Sequence, residues 1–538
     1  MKWPLALVLL LAGTRVVAVS DAPRSAFAPD IAPLASPAAR GSQDPAFARG
    51  ADGAVYLVWL EPAAGRGHAL KFATLDAAAR RWSPARLIAQ GPELETSSAN
   101  FPSLVAQPGG RLTAVWSVTN PMPAAAAHAA GEHMNHDDDR HAMISRSSDG
   151  GATWSSPEPL TRESDAVAFA SLLALPDGRI LAAWLDGRAR KSPQAAGEPV
   201  HQLYARLLPA SPGTAPAGAD TLLDPLVCDC CQTTLTGFPD GSALLAYRGR
   251  TAEEIRDIMV VRFDGSAWEK PQRLSRDRWK IAGCPINGPK LGSEGPRVTA
   301  AWFTAADNEP RVLLAASPDA GGLFTMPQRV DLGHPLGRVD TLILHDGSQY
   351  LTWLEGPGDD ASEPAGLYLR RCATFGAPMS PVPLALSAPN AVTGFPHFAL
   401  VKDFDATPAV FVAAYTREGE PGGIETELVT LPDAAVLAAA DSSCACSPGG
   451  EAQAGYPLRG RITALSSAKG TIRLAHGALP GVLRAGEREF RVAPNILGAL
   501  QSGREILGRV EERSGEWWIF DVRLLVRSGD DRANARTN

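Results

Sequence analysis

The chain has 538 residues, and its 51 basic and 58 acidic side chains give a formal net charge of −7. This balance argues against a nucleic-acid-binding protein, which normally carries a basic surface. With 45% hydrophobic and 20% charged residues, the chain is also too apolar to be disordered over its whole length. The 51 glycines and 45 prolines interrupt the sequence too often for long helices and favour short strands joined by turns.

The first twenty residues have the pattern of a secretory signal. Lys2 gives a basic start, residues 5–12 are apolar but too few to span a bilayer, and residues 17–20 resemble a cleavage site. We therefore expect an exported protein, periplasmic or secreted, that is cut near residue 20. No later segment is apolar enough over about 18 residues to predict a transmembrane helix.

A repeated pattern runs through residues 44–432. Each copy has a strand start containing Pro or Leu, a turn usually rich in Asp and Gly, and a strand that ends in an aromatic residue. The seven end points recur every 51 to 68 residues and are Trp59, Trp116, Trp184, Tyr247, Trp302, Trp353 and Tyr415. Each interval is long enough for the four short strands of a propeller blade. The repeat predicts a β-propeller of seven blades, or of six if a terminal copy shares its strands to close the ring.

A segment rich in His and Met follows the second copy. Its candidate metal ligands are His128, His133, Met134, His136, His141 and Met143, with residues 137–139 supplying three aspartates. Imidazole, thioether and carboxylate groups together suit copper or zinc. The same composition also fits a solvated polar loop that binds nothing.

Two turns share the pattern Ser-x-Asp-x-Gly. The first is Ser147–Trp154, and the second, Ser317–Phe324, has Leu in place of Thr and Phe in place of Trp. In such a turn the carboxylate can accept backbone N–H groups, glycine can take a positive φ and the aromatic ring can fill the blade. These turns resemble the Asp-box of the sialidase-type propellers. The resemblance implies a sialidase-like fold in which the box carboxylates are structural.

The sialidases also have catalytic residues that can be sought here. In that family an Arg before a hydrophobic-Pro pair opens an arginine triad for the substrate carboxylate, but this chain has Asn100 before Phe101-Pro102. Asn cannot supply a bidentate cationic fork. Arg248 and Arg338 can lie near the propeller axis, although their spacing does not select them as a triad. Sialidase-type glycoside hydrolysis stays an alternative function, as does glycan or protein binding by the propeller.

The main candidate site is a cluster of cysteines. Cys228, Cys230 and Cys231 begin the fourth copy, and Cys284 begins the fifth at a similar distance before its closing aromatic residue. Because first strands line the channel of a propeller, we expect the four thiols to converge at one mouth of the channel. On a strand, Cys228 and Cys230 would share a face, with Cys231 on the other unless a bulge turns it. Thiolates in this number suit Cu(I) or Zn(II), and the alternative is a disulfide from Cys284 with spare thiols.

The C-terminal part differs in character. Residues 434–455 read as a linker containing Cys444 and Cys446, which can bind Cu(I), pair with other thiols or have no specific role. Five strand-like runs follow within residues 456–528 and predict a small, five-stranded, OB-like β-barrel.

The barrel sequence resembles the small periplasmic copper-binding barrel of bacterial copper-efflux systems. The likeness rests on residues 460–465, 471–477 and 488–492. That family binds Cu(I) with one His and two Met under a Trp. His476 matches the His, while residues 481–489 contain neither Met nor Trp.

The sequence thus predicts an all-β chain, a six- or seven-bladed sialidase-like β-propeller followed by the barrel. The expected boundaries are a signal peptide at 1–20, the propeller at 21–433, the linker at 434–455, the barrel at 456–528 and a disordered tail at 529–538. The leading functional hypothesis is an exported, non-catalytic metal-binding protein for copper handling or tolerance. Zinc is the alternative metal, and copper-efflux or other periplasmic proteins are the expected partners.

Overall fold

The computed structural model describes residues 27–94, 96–97, 99–119, 140–164, 166–191, 201–211, 218–358, 365–373, 378–386, 392–404, 407–419, 422–437, 456–479, 482–513 and 515–527. Within these ranges, no helix has the length and apolar character needed to cross a membrane. Several predicted features lie outside the described residues: the signal peptide, the tail from 529 onward, His128, His133, Met134, His136, Cys444 and Cys446.

The strands form seven antiparallel blades in chain order, apart from β1 (Asp30–Leu34), which joins the last blade. Blade 1 contains β2 (Gln43–Arg49), β3 (Val55–Pro62), β4 (His68–Asp76), β5 (Arg81–Trp82) and β6 (Arg86–Gly91). Blade 2 contains β7 (Ser103–Gln107), β8 (Arg111–Thr119), β9 (Arg140–Ser147) and β10 (Glu158–Pro159). Blade 3 contains β11 (Val167–Ala174), β12 (Ile180–Asp186), β13 (His201–Leu208) and β14 (Thr221–Val227).

The remaining blades follow the same plan. Blade 4 contains β15 (Thr234–Gly237), β16 (Ala243–Arg248), β17 (Ile258–Phe263) and β18 (Gln272–Arg273). Blade 5 contains β19 (Lys290–Glu294), β20 (Arg297–Thr304) and β21 (Arg311–Ser317), then β22 (Leu323–Thr325), which leaves the sheet, and β23 (Gln328–Arg329). Blade 6 contains β24 (Pro335–Ile343), β25 (Gln349–Glu355), β26 (Gly366–Cys372) and β27 (Val382–Leu386). Blade 7 contains β28 (Val392–Lys402), β29 (Val410–Arg417) and β30 (Gly423–Thr430).

The N-terminal strand closes the ring. Strand β1 pairs antiparallel with β30, with Asp30 opposite Thr430, and supplies the fourth strand of blade 7. The first strands contact one another in the order β2, β7, β11, β15, β19, β24 and β28, and β28 returns to β2. The propeller prediction is confirmed and the number of blades is seven, because the shared strand completes the last blade without removing one.

The seven aromatic end points form the centres of the blades. Each lies on the second strand of its blade and is buried. In blades 1, 3 and 6 the tryptophan N–H donates to the carboxylate two residues later, as in Trp184 to Asp186 at 2.8 Å. Alternate residues of a strand share a face, so this acid lies in register with the ring and satisfies its buried N–H. Burial of a large ring at every repeat explains why the pattern was visible in the sequence.

The first Asp-box has the predicted geometry. Asp149 accepts the backbone N–H of Thr153 at 2.9 Å and its hydroxyl at 2.6 Å, and these bonds lower the pKa of the carboxyl. Gly151 has φ +81°, and a Cβ at this position would lie 2.4 Å from the Phe72 ring. The carboxylate therefore holds a hairpin together and is not aimed at the channel.

The second Asp-box docks the barrel. Asp319 accepts the backbone N–H of Leu323 with one oxygen, while its other oxygen accepts from Arg459 of the barrel at 2.9 Å. Because Leu323 has no hydroxyl, this second oxygen is available to Arg459. The segment β22 that follows the box also pairs with the last barrel strand. The departure from the box pattern thus coincides with an interdomain contact.

The C-terminal strands close into the predicted five-stranded barrel. They are β31 (Tyr456–Ser466), β32 (Thr471–His476), β33 (Gly486–Arg491), β34 (Glu505–Arg513) and β35 (Glu516–Arg527), with a short helix α1 (Pro494–Leu497) between β33 and β34. The strand order is β31-β32-β33-β35-β34, and β34 returns to β31. The interior is apolar and includes Leu458, Ile462, Ile472, Leu474, Phe490, Ile506, Val510 and Ile519.

Candidate functional site

The three cysteines of blade 4 lie in a turn. Strand β14 ends at Val227 and β15 begins at Thr234, so Cys228, Cys230 and Cys231 precede the first strand of blade 4. Their expected placement on that strand, with Cys231 on the opposite face, is therefore wrong. A turn does not impose the two-residue alternation of a strand, and this allows all three side chains to point to the same place.

The sulfur atoms of this turn converge. The Sγ of Cys228 lies 3.5 Å from that of Cys231 and 4.0 Å from that of Cys230. All three sulfurs lie within 4.8 Å of one another, and all three residues are buried. Two thiolates bound at 2.3 Å to one tetrahedral metal ion are about 3.8 Å apart. The observed separations match this spacing.

Cys284 of the adjacent blade also reaches the cluster. Its sulfur forms a disulfide with Cys230, across the 54 residues between the starts of blades 4 and 5. The predicted meeting of cysteines from two neighbouring blades is confirmed. The structure shows the disulfide form of the cluster, with Cys228 and Cys231 as thiols. Cys284 is exposed, so a reductant in solution can reach the bond.

Two arginines stabilise negative charge on Cys228. The Arg256 guanidinium donates to its sulfur at 3.2 Å, and Arg248 is a second nearby cation. Burial alone would raise the pKa of Cys228, but the Cys231 thiol and both guanidinium groups lower it. Burial, together with negative charge on Cys228, raises the pKa of Cys231. The cluster thus favours one thiolate before a second forms.

The cysteine turn packs behind the mouth of the central channel. Its three cysteines belong to one buried cluster with Phe169 and Phe395, which come from the first strands of blades 3 and 7. The next residue, Gln232, donates to the carbonyl of Ala99 at 2.8 Å and accepts from the backbone N–H of Gly288 at 2.9 Å. These bonds tie the turn to blades 2 and 5 and hold the sulfurs at the inner rim of the ring.

The other predicted ligands lie elsewhere. His141 and Met143 are on β9 of blade 2, and Met143 packs partly against the core of blades 1 and 2. His476 ends β32, with Nδ1 2.8 Å from the carbonyl oxygen of Gly477 and its ring against Phe490. Among the described residues, no group of three His, Cys, Asp or Glu side chains with metal-ligand spacing includes either histidine.

The residues considered for sialidase chemistry have structural contacts. Asn100 accepts the backbone N–H of Phe169 at 2.9 Å and so joins blades 2 and 3. Arg248 is buried, and within the described residues it donates to backbone carbonyls alone. Arg338 donates to the carbonyl of Gly394 and lies over the Phe395 ring. These contacts do not assemble the arginine triad of the sialidases in the described part of the channel.

A second group of ionisable residues was not predicted. Lys290, Asp340 and His397 come from the first strands of blades 5, 6 and 7 and meet in the central channel. A signal was present in two of them, because Lys290 and His397 each follow a Pro at the start of a repeat. Aligning the copies on that proline would have placed both side chains on the channel wall.

No protein-family model and no curated protein sequence matches the chain. Solved structures similar to it include a protein of unknown function from Dyadobacter fermentans, at 12% identity over 75% of this chain and 98% of that one, with a TM-score of 0.43. Hadza microbial sialidase Hz136 is 12% identical over 72% of this chain and 65% of that one, with a TM-score of 0.38. The parainfluenza virus 5 hemagglutinin-neuraminidase ectodomain is 9% identical over 76% and 83%, with a TM-score of 0.41.

The sheet topology of the chain itself defines its class. It is an all-β protein with a seven-bladed propeller arrangement and a closed five-stranded barrel, and sialidases are among its structural neighbours.

Proposed function

We propose that this protein is an exported copper-binding propeller that holds Cu(I) at the cysteine turn of blade 4 when the cluster is reduced. The observation that supports the proposal is the spacing of three sulfur atoms. The Sγ of Cys228 lies 3.5 Å from that of Cys231 and 4.0 Å from that of Cys230. That spacing agrees with the distance of about 3.8 Å expected between thiolates on one metal ion.

The donor set favours Cu(I) over Zn(II). All three buried donors are soft sulfur atoms, which Cu(I) prefers, whereas a structural zinc ion almost always takes four ligands. The nearby cations of Arg256 and Arg248 offset the negative charge that several thiolates bring to a buried site. Zinc remains the alternative metal, with Cys284 as its fourth ligand.

Metal binding in this proposal depends on the redox state. Cys230 cannot ligate a metal as a thiolate while it is bonded to Cys284. Reduction of the exposed disulfide supplies the third buried thiolate. We therefore expect the reduced protein to bind Cu(I) and the oxidised protein to release it.

The test is a Cu(I) titration of the purified full-length chain under anaerobic conditions, against a chromophoric chelator. We expect the reduced protein to retain about one copper ion per chain and the oxidised protein to retain none. Cys228→Ser and Cys231→Ser should each abolish retention.

Cys372→Ser is the matched control, because Cys372 is a buried thiol outside the cluster. It should bind copper as the wild type does. Failure of the reduced wild type to retain copper, or normal retention by Cys228→Ser, would show that the turn is not a copper site.

The cellular setting follows from two sequence features. The first twenty residues resemble a secretory signal, which supports an exported, periplasmic or secreted location. The barrel resembles that of periplasmic copper-efflux systems but lacks the matching Met and Trp residues. We therefore propose that the barrel docks to proteins of such a system and that the propeller carries the metal.

A further inference from the structure

The central channel contains a fixed Asp–His pair next to a lysine. The Nδ1 atom of His397 lies 3.0 Å from the carboxylate of Asp340 and 3.5 Å from Nζ of Lys290. Backbone N–H groups of Phe398 and Thr341 donate to the same carboxylate at 3.2 and 2.9 Å. Asp340 is thus held by the backbone and in turn orients the imidazole ring.

Two groups of this cluster have unused hydrogen-bonding capacity. His397 is 5% exposed, and its Nε2 has no hydrogen-bond partner among the described residues. In the same part of the chain the Lys290 ammonium makes no ion pair, and its contacts are His397 and the face of the Phe101 ring. Buried polar atoms are nearly always paired in folded proteins, so the unpartnered Nε2 of His397, beside the partly exposed Lys290 ammonium, favours a ligand that contacts both groups.

The protonation states define what each group offers. Burial and the charge of Lys290 lower the pKa of His397, so the imidazole is neutral near pH 7. Burial opposes ionisation of Asp340, but Lys290 and His397 outweigh it and lower its pKa. The ionised carboxylate accepts a hydrogen bond from Nδ1–H of the neutral imidazole, and this leaves the acceptor lone pair on Nε2. Burial lowers the pKa of Lys290, and the charge of Asp340 opposes this shift. As an ammonium, Lys290 is a cation beside the acceptor Nε2 of His397.

Two cavities share Lys290 and His397 in their walls. The outer cavity has a volume of about 180 Å³, and Lys290 is the single charged side chain among the described residues that line it, beside the neutral His397. Its other walls are the Phe101 and Phe169 rings and several hydroxyl and amide groups. The inner cavity is lined by the same lysine and histidine, together with Asp340, Arg49 and Glu294. The Lys290 ammonium therefore gives the outer cavity a positive charge, which favours a small anion.

We propose that the outer cavity binds a small hydroxycarboxylate. The carboxylate of the ligand pairs with the Lys290 ammonium, its hydroxyl donates to Nε2 of His397, and its short carbon chain lies against the Phe101 ring. No cysteine lines this cavity, so lactate binding and copper binding are measured on different side chains.

The test is isothermal titration of the metal-free full-length protein with lactate, propionate and glycerol. Lactate should bind, propionate should bind about tenfold more weakly because it lacks the hydroxyl, and glycerol should not bind because it lacks the carboxylate. Lys290→Met should weaken lactate binding by about tenfold or more. Lys402→Met, on the same strand as His397 but outside both cavities, should bind lactate as the wild type does.

A measurement on the wild type removes the dependence on folded variants. The ¹⁵N resonance of His397 Nε2 should shift when lactate is added, because the lone pair gains a donor. Absence of that shift, equal affinity for lactate and propionate, or unchanged affinity in a folded Lys290→Met protein would each overturn the proposal. These outcomes leave the copper titration unaffected, so the two proposals fail separately.

Discussion

Replacing Arg248 by Met should lower the free energy of unfolding by about 3 kcal/mol. The guanidinium is fully buried and donates to the carbonyls of Asn287, Arg256 and Phe303 at 2.7 to 3.0 Å. It also lies over the Trp279 ring. Met keeps much of the side-chain volume but leaves three carbonyl groups without this donor, each costing about 1–3 kcal/mol. Part of that cost is offset because a charge no longer has to be buried.

Arg297→Met is the matched control for this substitution. Arg297 donates to a single carbonyl, that of His345, near the surface, so its loss should cost less than about 1 kcal/mol. Chemical denaturation followed by tryptophan fluorescence compares the two variants. Equal stability of the two variants would show that the carbonyl contacts of Arg248 do not hold blades 4 and 5 together.

The substitution should also change the cysteine cluster. Arg248 accepts the backbone N–H of Cys228 through its own carbonyl and is one of the two cations beside that thiol. Removing the charge should raise the pKa of Cys228, because one of the two cations that favour its thiolate is lost. Thiolate absorbance followed against pH in the folded wild type and variant measures this shift.

The propeller was predictable because its signal repeats. The second strand of every blade contains one buried aromatic ring, so the same packing pattern recurs seven times in the sequence. The cysteine cluster was predictable for a related reason, since Cys231 and Cys284 occupy equivalent places in adjacent copies. Its local form was not, because the turn that contains Asp229 and Cys230 has neither Gly nor Pro to mark it.

The channel cluster and the docking contact depend on long-range geometry. His397 is 57 residues from Asp340 and 107 from Lys290, and the three meet only because the ring closes. The proline before Lys290 and before His397 marks the start of each repeat, but no local pattern brings Asp340 to them. Similarly, the sequence shows Leu323 only as a departure from the Asp-box pattern. The structure explains this departure, because Arg459 of the barrel donates to the oxygen of Asp319 that a Thr hydroxyl would otherwise occupy.

Asp44 should make the stability of the protein depend on pH in an unusual direction. Asp44 lies at the start of blade 1 and is 5% exposed. Burial raises the pKa of its carboxyl to about 7, although the hydrogen bond that it accepts from the backbone N–H of Ser97 lowers the pKa. Between about pH 4 and pH 7 the folded state therefore keeps a proton that the unfolded state releases. Stability contributed by this group is present at low pH and is lost as the pH rises through about 7.

Asp44→Asn should remove this loss. Asn is neutral at every pH, keeps an oxygen that can accept from Ser97, and tolerates the positive φ of 57° at this position. A shift of about three pKa units corresponds to about 4 kcal/mol at most, so we expect the variant to exceed the wild type by about 2–4 kcal/mol at pH 8 and to match it near pH 4. Denaturation curves at the two pH values give both differences.

A second variant separates the charge from the hydrogen bond. Asp44→Gly also tolerates a positive φ but has no acceptor for Ser97, so it should show the same flat pH dependence as Asp44→Asn with a lower stability, by about 1–3 kcal/mol, at both pH values. If wild type and Asp44→Asn instead lose stability in parallel between pH 4 and pH 8, Asp44 is ionised in the folded protein. Its burial would then be compensated by nearby positive charge, for which Arg140 is the cation already in place.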